Sequence, residues 1–180
     1  MEKIAFLGCG SWGGALGSIL ADKNFDVTMW HRNKDVVSSL NETRQHYLIP
    51  ELTFPKNIHF TSDMSFALRP ATIVVFATPS QSIRKLITEY KSDFNQGQLI
   101  VNVAKGIEID TLLTVSEVIN DVLGDNYNND DWCESENFYT TLAEDHLIKN
   151  NQKIWNEKEI VLKKFMDGYS CEKIKFKKIN

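Results

Sequence analysis

A doubly wound α/β fold, with a mostly parallel sheet and helices on both faces, is what this sequence predicts. Short apolar runs recur at Lys3–Leu7, Asp26–Trp30, Ile58–Thr61, Thr72–Ala77 and Gln98–Val103. Between them apolar residues fall at helical spacing, and a knot of glycines follows the first run. Strands alternating with helical patterns imply parallel βαβ units, so at least five strands are expected.

The elements read in order. Lys3–Leu7 is a buried strand because it is short, apolar and closed by glycine. Trp12–Lys23 is a helix with Leu16, Ile19 and Leu20 on one face. Asp26–Trp30 is the second strand and Lys34–Leu40 the second helix, while residues 41–57, with Pro50 and Pro55, read as mostly irregular. Ile58–Thr61 is a third strand, followed by a short helix near Asp63–Leu68. Thr72–Ala77 is the clearest strand; Gln81–Lys91 is helix, Gln98–Val103 strand and Asp110–Leu123 helix.

Composition narrows the class. The 180 residues carry a net charge of −4, which argues against a nucleic-acid partner held by general positive charge. No apolar run reaches the ~18–20 residues that span a bilayer. Met1-Glu2-Lys3 leads directly into the first strand, so no secretory leader is expected. Cys9, Cys133 and Cys171 lie far apart without a C-x-x-C pair, which fits a reducing cytoplasm and gives no metal site.

Composition also divides the chain at Gly124. Residues 1–124 hold eight of nine Gly, all four Pro and all four Arg. Residues 125–180 contain eight Asn and nine Lys, and open with an Asn/Asp-rich stretch suited to a loop or linker. The expected organisation is a nucleotide-binding domain over 1–124 and a divergent C-terminal extension over 125–180. Within the extension Phe138, Leu142 and Leu147 could share one helix face, and Trp155, Leu162 and Met166 another. A short, mainly helical extension and a partly disordered one both fit.

The sharpest motif is Gly8-Cys9-Gly10-Ser11-Trp12-Gly13, a G-x-G-x-x-G that ends the first strand and opens the first helix. Gly8 permits the tight turn, Gly10 leaves room for a pyrophosphate, and Gly13 lets helix and strand pack closely. Free N–H groups at the helix start then face the phosphates. The predicted sheet is therefore a Rossmann sheet with a dinucleotide cofactor. The second strand ends in Trp30-His31-Arg32-Asn33 rather than in an acid. A guanidinium can take a ribose 2′-phosphate as a bidentate donor, which tilts Arg32 toward tolerance of NADP beside NAD. Arg32 as a solvated charge and His31 as a bystander remain open. Thr78-Pro79-Ser80 either leaves space for a nicotinamide half or is a plain turn with Ser80 as N-cap. Lys105, in Ala104-Lys105-Gly106, lies at the rim of the crevice, where a solvated lysine and a substrate ligand both fit.

GCGSWGGALG, MWHRN, YLIPELTFPKNIHFTSD, VVFATPSQSIRKLI and IVNVAKGIE, in that order, resemble NAD(P)-dependent glycerol-3-phosphate dehydrogenase. The resemblance covers about Lys3–Gly124. It implies hydride transfer between a nicotinamide cofactor and dihydroxyacetone phosphate or sn-glycerol 3-phosphate. It also implies that Ser11, Trp12 and Arg32 contact the dinucleotide, that Lys105 touches both cofactor and substrate, and that the assembly is a homodimer.

Beyond Gly124 the sequence leaves the family pattern. No strand leads into a Ser-Gly-Pro-Ser-like turn; no proline follows Pro79 and no arginine follows Arg84. The family's helical second domain, with its catalytic lysine and phosphate-binding arginine, has no recognisable counterpart, so no catalytic residue is assigned. The expectation is cofactor binding with little turnover by this chain alone. The alternative is a non-catalytic dinucleotide-binding module or a truncated gene product.

Overall fold

The structure, a computed structural model, describes residues 2–124. Along the chain run β1 (Lys3–Leu7), α1 (Ser11–Asp22), β2 (Asp26–Trp30), α2 (Lys34–Thr43), β3 (Ile58–Thr61) and α3 (Met64–Leu68). They are followed by β4 (Ile73–Phe76), α4 (Ser80–Glu89), a 3-10 turn at Lys91–Asp93, β5 (Leu99–Asn102) and α5 (Val115–Leu123). All five strands are parallel, in the order β3-β2-β1-β4-β5. This is the doubly wound α/β class the sequence predicts.

Parallel strands are covered on both faces, which is why they read as continuous apolar runs. Side chains alternate between two cores. Ala5, Leu7, Val74 and Phe76 join Ile83, Ile87, Val118 and Ile119 from α4 and α5 on one face. Ile4, Phe6, Val27 and Met29 join Leu16, Leu20 and Leu40 from α1 and α2 on the other. The strand order reverses at β1: β2 and β3 are added on one side of it, β4 and β5 on the other. The register sets Leu7 beside both Trp30 and Phe76, so β1, β2 and β4 end level with one another.

A polar tie closes the far end. The Asp93 carboxylate accepts from the Ser65 hydroxyl at 2.5 Å and from Arg69 Nε at 2.8 Å, joining α3 to the 3-10 turn. Ser65 first, then Arg69, holds this carboxyl below its usual range.

Three helix starts differ from the sequence expectation, α1 only in opening at Ser11 rather than Trp12. α5 begins at Val115 rather than Asp110 because Leu112 takes φ +60° and Ile107 bridges antiparallel to Thr114. Thr114 and Glu117 then form a reciprocal capping box, which satisfies the first helical donors. α4 begins at Ser80 with Pro79 as its N-cap, so Ser80 is not the cap. Ser82 Oγ donates to the Pro79 carbonyl at 2.7 Å instead. The amphipathic patterns at Phe138, Leu142, Leu147, Trp155, Leu162 and Met166 lie outside the described residues.

Candidate functional site

Ligands of open α/β sheets lie beyond the carboxyl ends of the strands, where strand order reverses. Here that point lies between β1 and β4. Ladder bonds run just past the strand ends: Gly8 N–H donates to Trp30 O, Ala77 N–H to Leu7 O, and Val103 N–H to Phe76 O. The chain leaves this level platform as Gly8, His31, Ala77 and Val103.

Gly8 sits at φ +120°, and a β-carbon on it would stand 2.7 Å from the Ala77 carbonyl oxygen. Only glycine fits that turn without strain. Gly10 is different: it has nothing within 4 Å of a β-carbon position, so its open side is free for a ligand. It is also the N-cap of α1 and offers no side-chain cap. The first N–H groups of α1 thus have no intrahelical acceptor, and the first turn carries no acid to compete with an anion. Thr78 Oγ1, beside Gly8, is buried without a hydrogen-bond partner among the described residues. An open glycine, unpaired helix donors and an orphaned hydroxyl fit a pyrophosphate-bearing ligand. Cys9, between the first two glycines, is fully buried, and burial pushes its thiol up to about 12. It is a packing residue.

At the end of β2, His31 Nδ1 accepts from Asn33 N–H at 3.2 Å, and its Nε2 lies 3.5 Å from the Tyr47 hydroxyl. The His31 and Tyr47 rings meet edge to face at 5.6 Å. Arg32 is exposed and pairs with nothing among the described residues, which leaves its guanidinium available. Trp12 is 43% exposed in the first turn of α1.

Lys105 is exposed at the end of β5 and likewise has no partner among the described residues. Its loop is firmly built. Asn102 Oδ1 accepts from Ala104 N–H at 2.9 Å, and Gly106 at φ +111° packs against Ser80. Gln81 clamps the next residues, donating to Ile107 O at 2.6 Å and accepting from Ile109 N–H at 3.1 Å. The Arg84 guanidinium holds the Glu108 carboxyl below its usual range, with Thr111 adding to the effect.

The structure therefore gathers Gly8, Gly10, Ser11, Trp12 and Gly13 at one turn, with His31 and Arg32 at the end of one neighbouring strand. Lys105 stands one strand beyond β4. Sequence reasoning missed His46, which meets this turn at Gly10 from the irregular 41–57 stretch, and Tyr47, which packs on His46 and His31.

A glycine turn feeding a helix N-terminus at the point of strand reversal defines a dinucleotide-binding domain of the Rossmann kind. More narrowly, residues 3–130 match the family model described as NAD-dependent glycerol-3-phosphate dehydrogenase N-terminus, and the chain belongs to that family. A glycerol-3-phosphate dehydrogenase (NAD(P)+) of Anaeromyxobacter sp. (strain K) is 44% identical over 123 residues, covering 67% of this chain and 37% of the relative. One from Clostridium perfringens (strain SM101 / Type A) is 41% identical over 127 residues, covering 70% and 38%. The crystal structure of glycerol-3-phosphate dehydrogenase from Coxiella burnetii superposes with a TM-score of 0.64 at 28% identity, covering 68% of this chain and 38% of that one. The chain thus spans little more than a third of the length of these relatives. The matched family and these relatives carry NAD or NAD(P)+ in their descriptions. Among the described residues no helix is long and apolar enough to cross a membrane.

Proposed function

We propose that residues 1–124 bind NAD(H) or NADP(H) and present Lys105 to dihydroxyacetone phosphate or sn-glycerol 3-phosphate, with residues 125–180 as an extension outside that unit. The observation that carries this reading is the open Gly10 turn at the β1/β4 reversal, set in a chain that matches the family over residues 3–130. Gly8, Gly10 and Gly13 shape the turn, and the N–H groups of Ser11 and Trp12 receive the pyrophosphate. His31 and Arg32 flank the adenosine end. When bound, the nicotinamide ring supplies or accepts the hydride. The Lys105 ammonium pairs with a substrate oxygen and orients it toward the crevice. The reaction is thus reversible oxidoreduction of a small phosphorylated alcohol, in the homodimer the family resemblance implies and the reducing cytoplasm the cysteine pattern fits.

Low turnover by this chain alone is part of the reading. Positioning and proton transfer each contribute large rate factors, and the described residues offer Lys105 but no second wall to enclose the substrate. The test titrates the purified 180-residue chain with NADH and NADPH, then follows NADH consumption with dihydroxyacetone phosphate. Micromolar cofactor binding with weak or no turnover supports the reading. Absence of cofactor binding by the folded chain overturns it, and efficient turnover overturns the low-activity part.

A further inference from the structure

We propose that His46 is a positioning residue for dinucleotide binding, acting through the Gly10 carbonyl. His46 is 2% exposed and lies in no regular element, yet all its polar capacity is used. Its Nδ1 accepts from the N–H groups of Leu48 at 2.9 Å and Ile49 at 3.1 Å. Backbone N–H groups only donate, so Nδ1 carries no proton and the ring hydrogen sits on Nε2. That nitrogen lies 3.2 Å from the Gly10 carbonyl oxygen, which only accepts. One neutral tautomer satisfies all three bonds.

The Gly10 oxygen also takes the Gly14 N–H at 2.7 Å, so one donor from α1 and one from the 41–57 stretch fix it. A trans peptide is planar, with its C=O and N–H pointing in opposite directions. Pinning the Gly10 oxygen therefore turns the Ser11 N–H the opposite way, out of the helix N-terminus. Gly14 gives independent support. A β-carbon there would stand 2.5 Å from His46 Cδ2 and Nε2, so this helical glycine makes the room the ring occupies. Tyr47 stacks parallel to His46 at 5.1 Å and Phe54 lies 5.4 Å behind it, which fixes the ring plane.

This inference rests on the dinucleotide reading. Two substitutions in the full chain divide the ring's tasks. His46→Asn keeps an acceptor for Leu48 N–H but cannot reach Gly10. His46→Gln keeps an N–H donor at the reach of Nε2. With folding checked by circular dichroism and thermal melting, His46→Asn is expected to bind NADH about 3- to 10-fold more weakly, the loss of one net hydrogen bond. His46→Gln is expected to stay within about twofold of the unsubstituted chain. Gly14→Ala, which pushes on the ring from the helix side, is expected to weaken NADH binding as His46→Asn does. Equal affinity in His46→Asn and the unsubstituted chain overturns the proposal, as does equal loss in both His46 variants at native stability. If His46→Asn does not fold, unchanged affinity in folded Gly14→Ala overturns it. Failure of the unsubstituted chain to bind NADH instead overturns the dinucleotide reading and this inference together.

Discussion

Arg84 Nε stands 2.9 Å from both carboxylate oxygens of Glu108, and the pair fastens the Lys105 loop to α4. Thr111 Oγ1 donates to the same carboxylate at 2.5 Å. Both donors favour the charged form, so the folded pKa lies below the ordinary 4.5 of glutamate. A carboxylate depressed on folding stabilises fully above its unfolded pKa and loses that contribution as pH falls through the folded value. Melting temperature should therefore drop as pH falls below the ordinary glutamate value of 4.5, and Glu108→Gln should lower it at neutral pH while flattening that acid limb. Parallel acid limbs in the two proteins, followed by thermal melting, would refute the assignment.

Gly8 and Gly10 separate stability from binding. Gly8→Ala forces a β-carbon against the Ala77 carbonyl at a positive φ and should destabilise by about 1–3 kcal/mol. Gly10 has φ −68° and no neighbour within 4 Å of a β-carbon position, so Gly10→Val should melt within a few degrees of the unsubstituted chain. Its isopropyl group should still abolish measurable NADH binding. Normal NADH affinity in folded Gly10→Val would remove the cradle from the site.

The strands were legible because a parallel strand buried on both faces leaves an unbroken apolar run, as in Ile73–Phe76. Gly8-Cys9-Gly10-Ser11-Trp12-Gly13 was legible because each glycine answers a local backbone need. His46 was not, since its partner Gly10 lies 36 residues away and no local periodicity encodes that contact. The available hint was Gly14, a helix-interior glycine that costs about 1 kcal/mol against alanine and so calls for a packing reason. The start of α5 was misplaced for a different cause. The helix was expected from Asp110, whereas the reciprocal signal was Thr114 with Glu117 three residues on.

Gln81 uses both ends of its amide on the loop beside Lys105, at Ile107 O and Ile109 N–H. Gln81→Ala should leave global stability nearly unchanged while loosening this segment. Losing the bond to Ile109 removes about 1 kcal/mol of local protection, so that amide should exchange about fivefold faster. Hydrogen exchange followed by mass spectrometry resolves the peptide. Unchanged protection would show that the Arg84–Glu108 pair and Gly106 hold the loop without Gln81.

Cofactor preference turns on Arg32. Its guanidinium is exposed and unpaired among the described residues, at the end of β2 where an acid would favour an unphosphorylated ribose. A solvent-exposed arginine on a 2′-phosphate contributes about 1–2 kcal/mol, less than a buried bidentate pair, because water and salt screen it. Arg32→Ala should therefore weaken NADPH binding about 5- to 30-fold and leave NADH within about threefold. Raising ionic strength to about 0.5 M should narrow the difference between NADPH and NADH in the unsubstituted chain, since the Debye length there is only a few ångström. Parallel fluorescence titrations of both cofactors measure this directly. Equal losses for NADH and NADPH would mean that Arg32 meets the adenine or the shared phosphates and does not read the 2′ position.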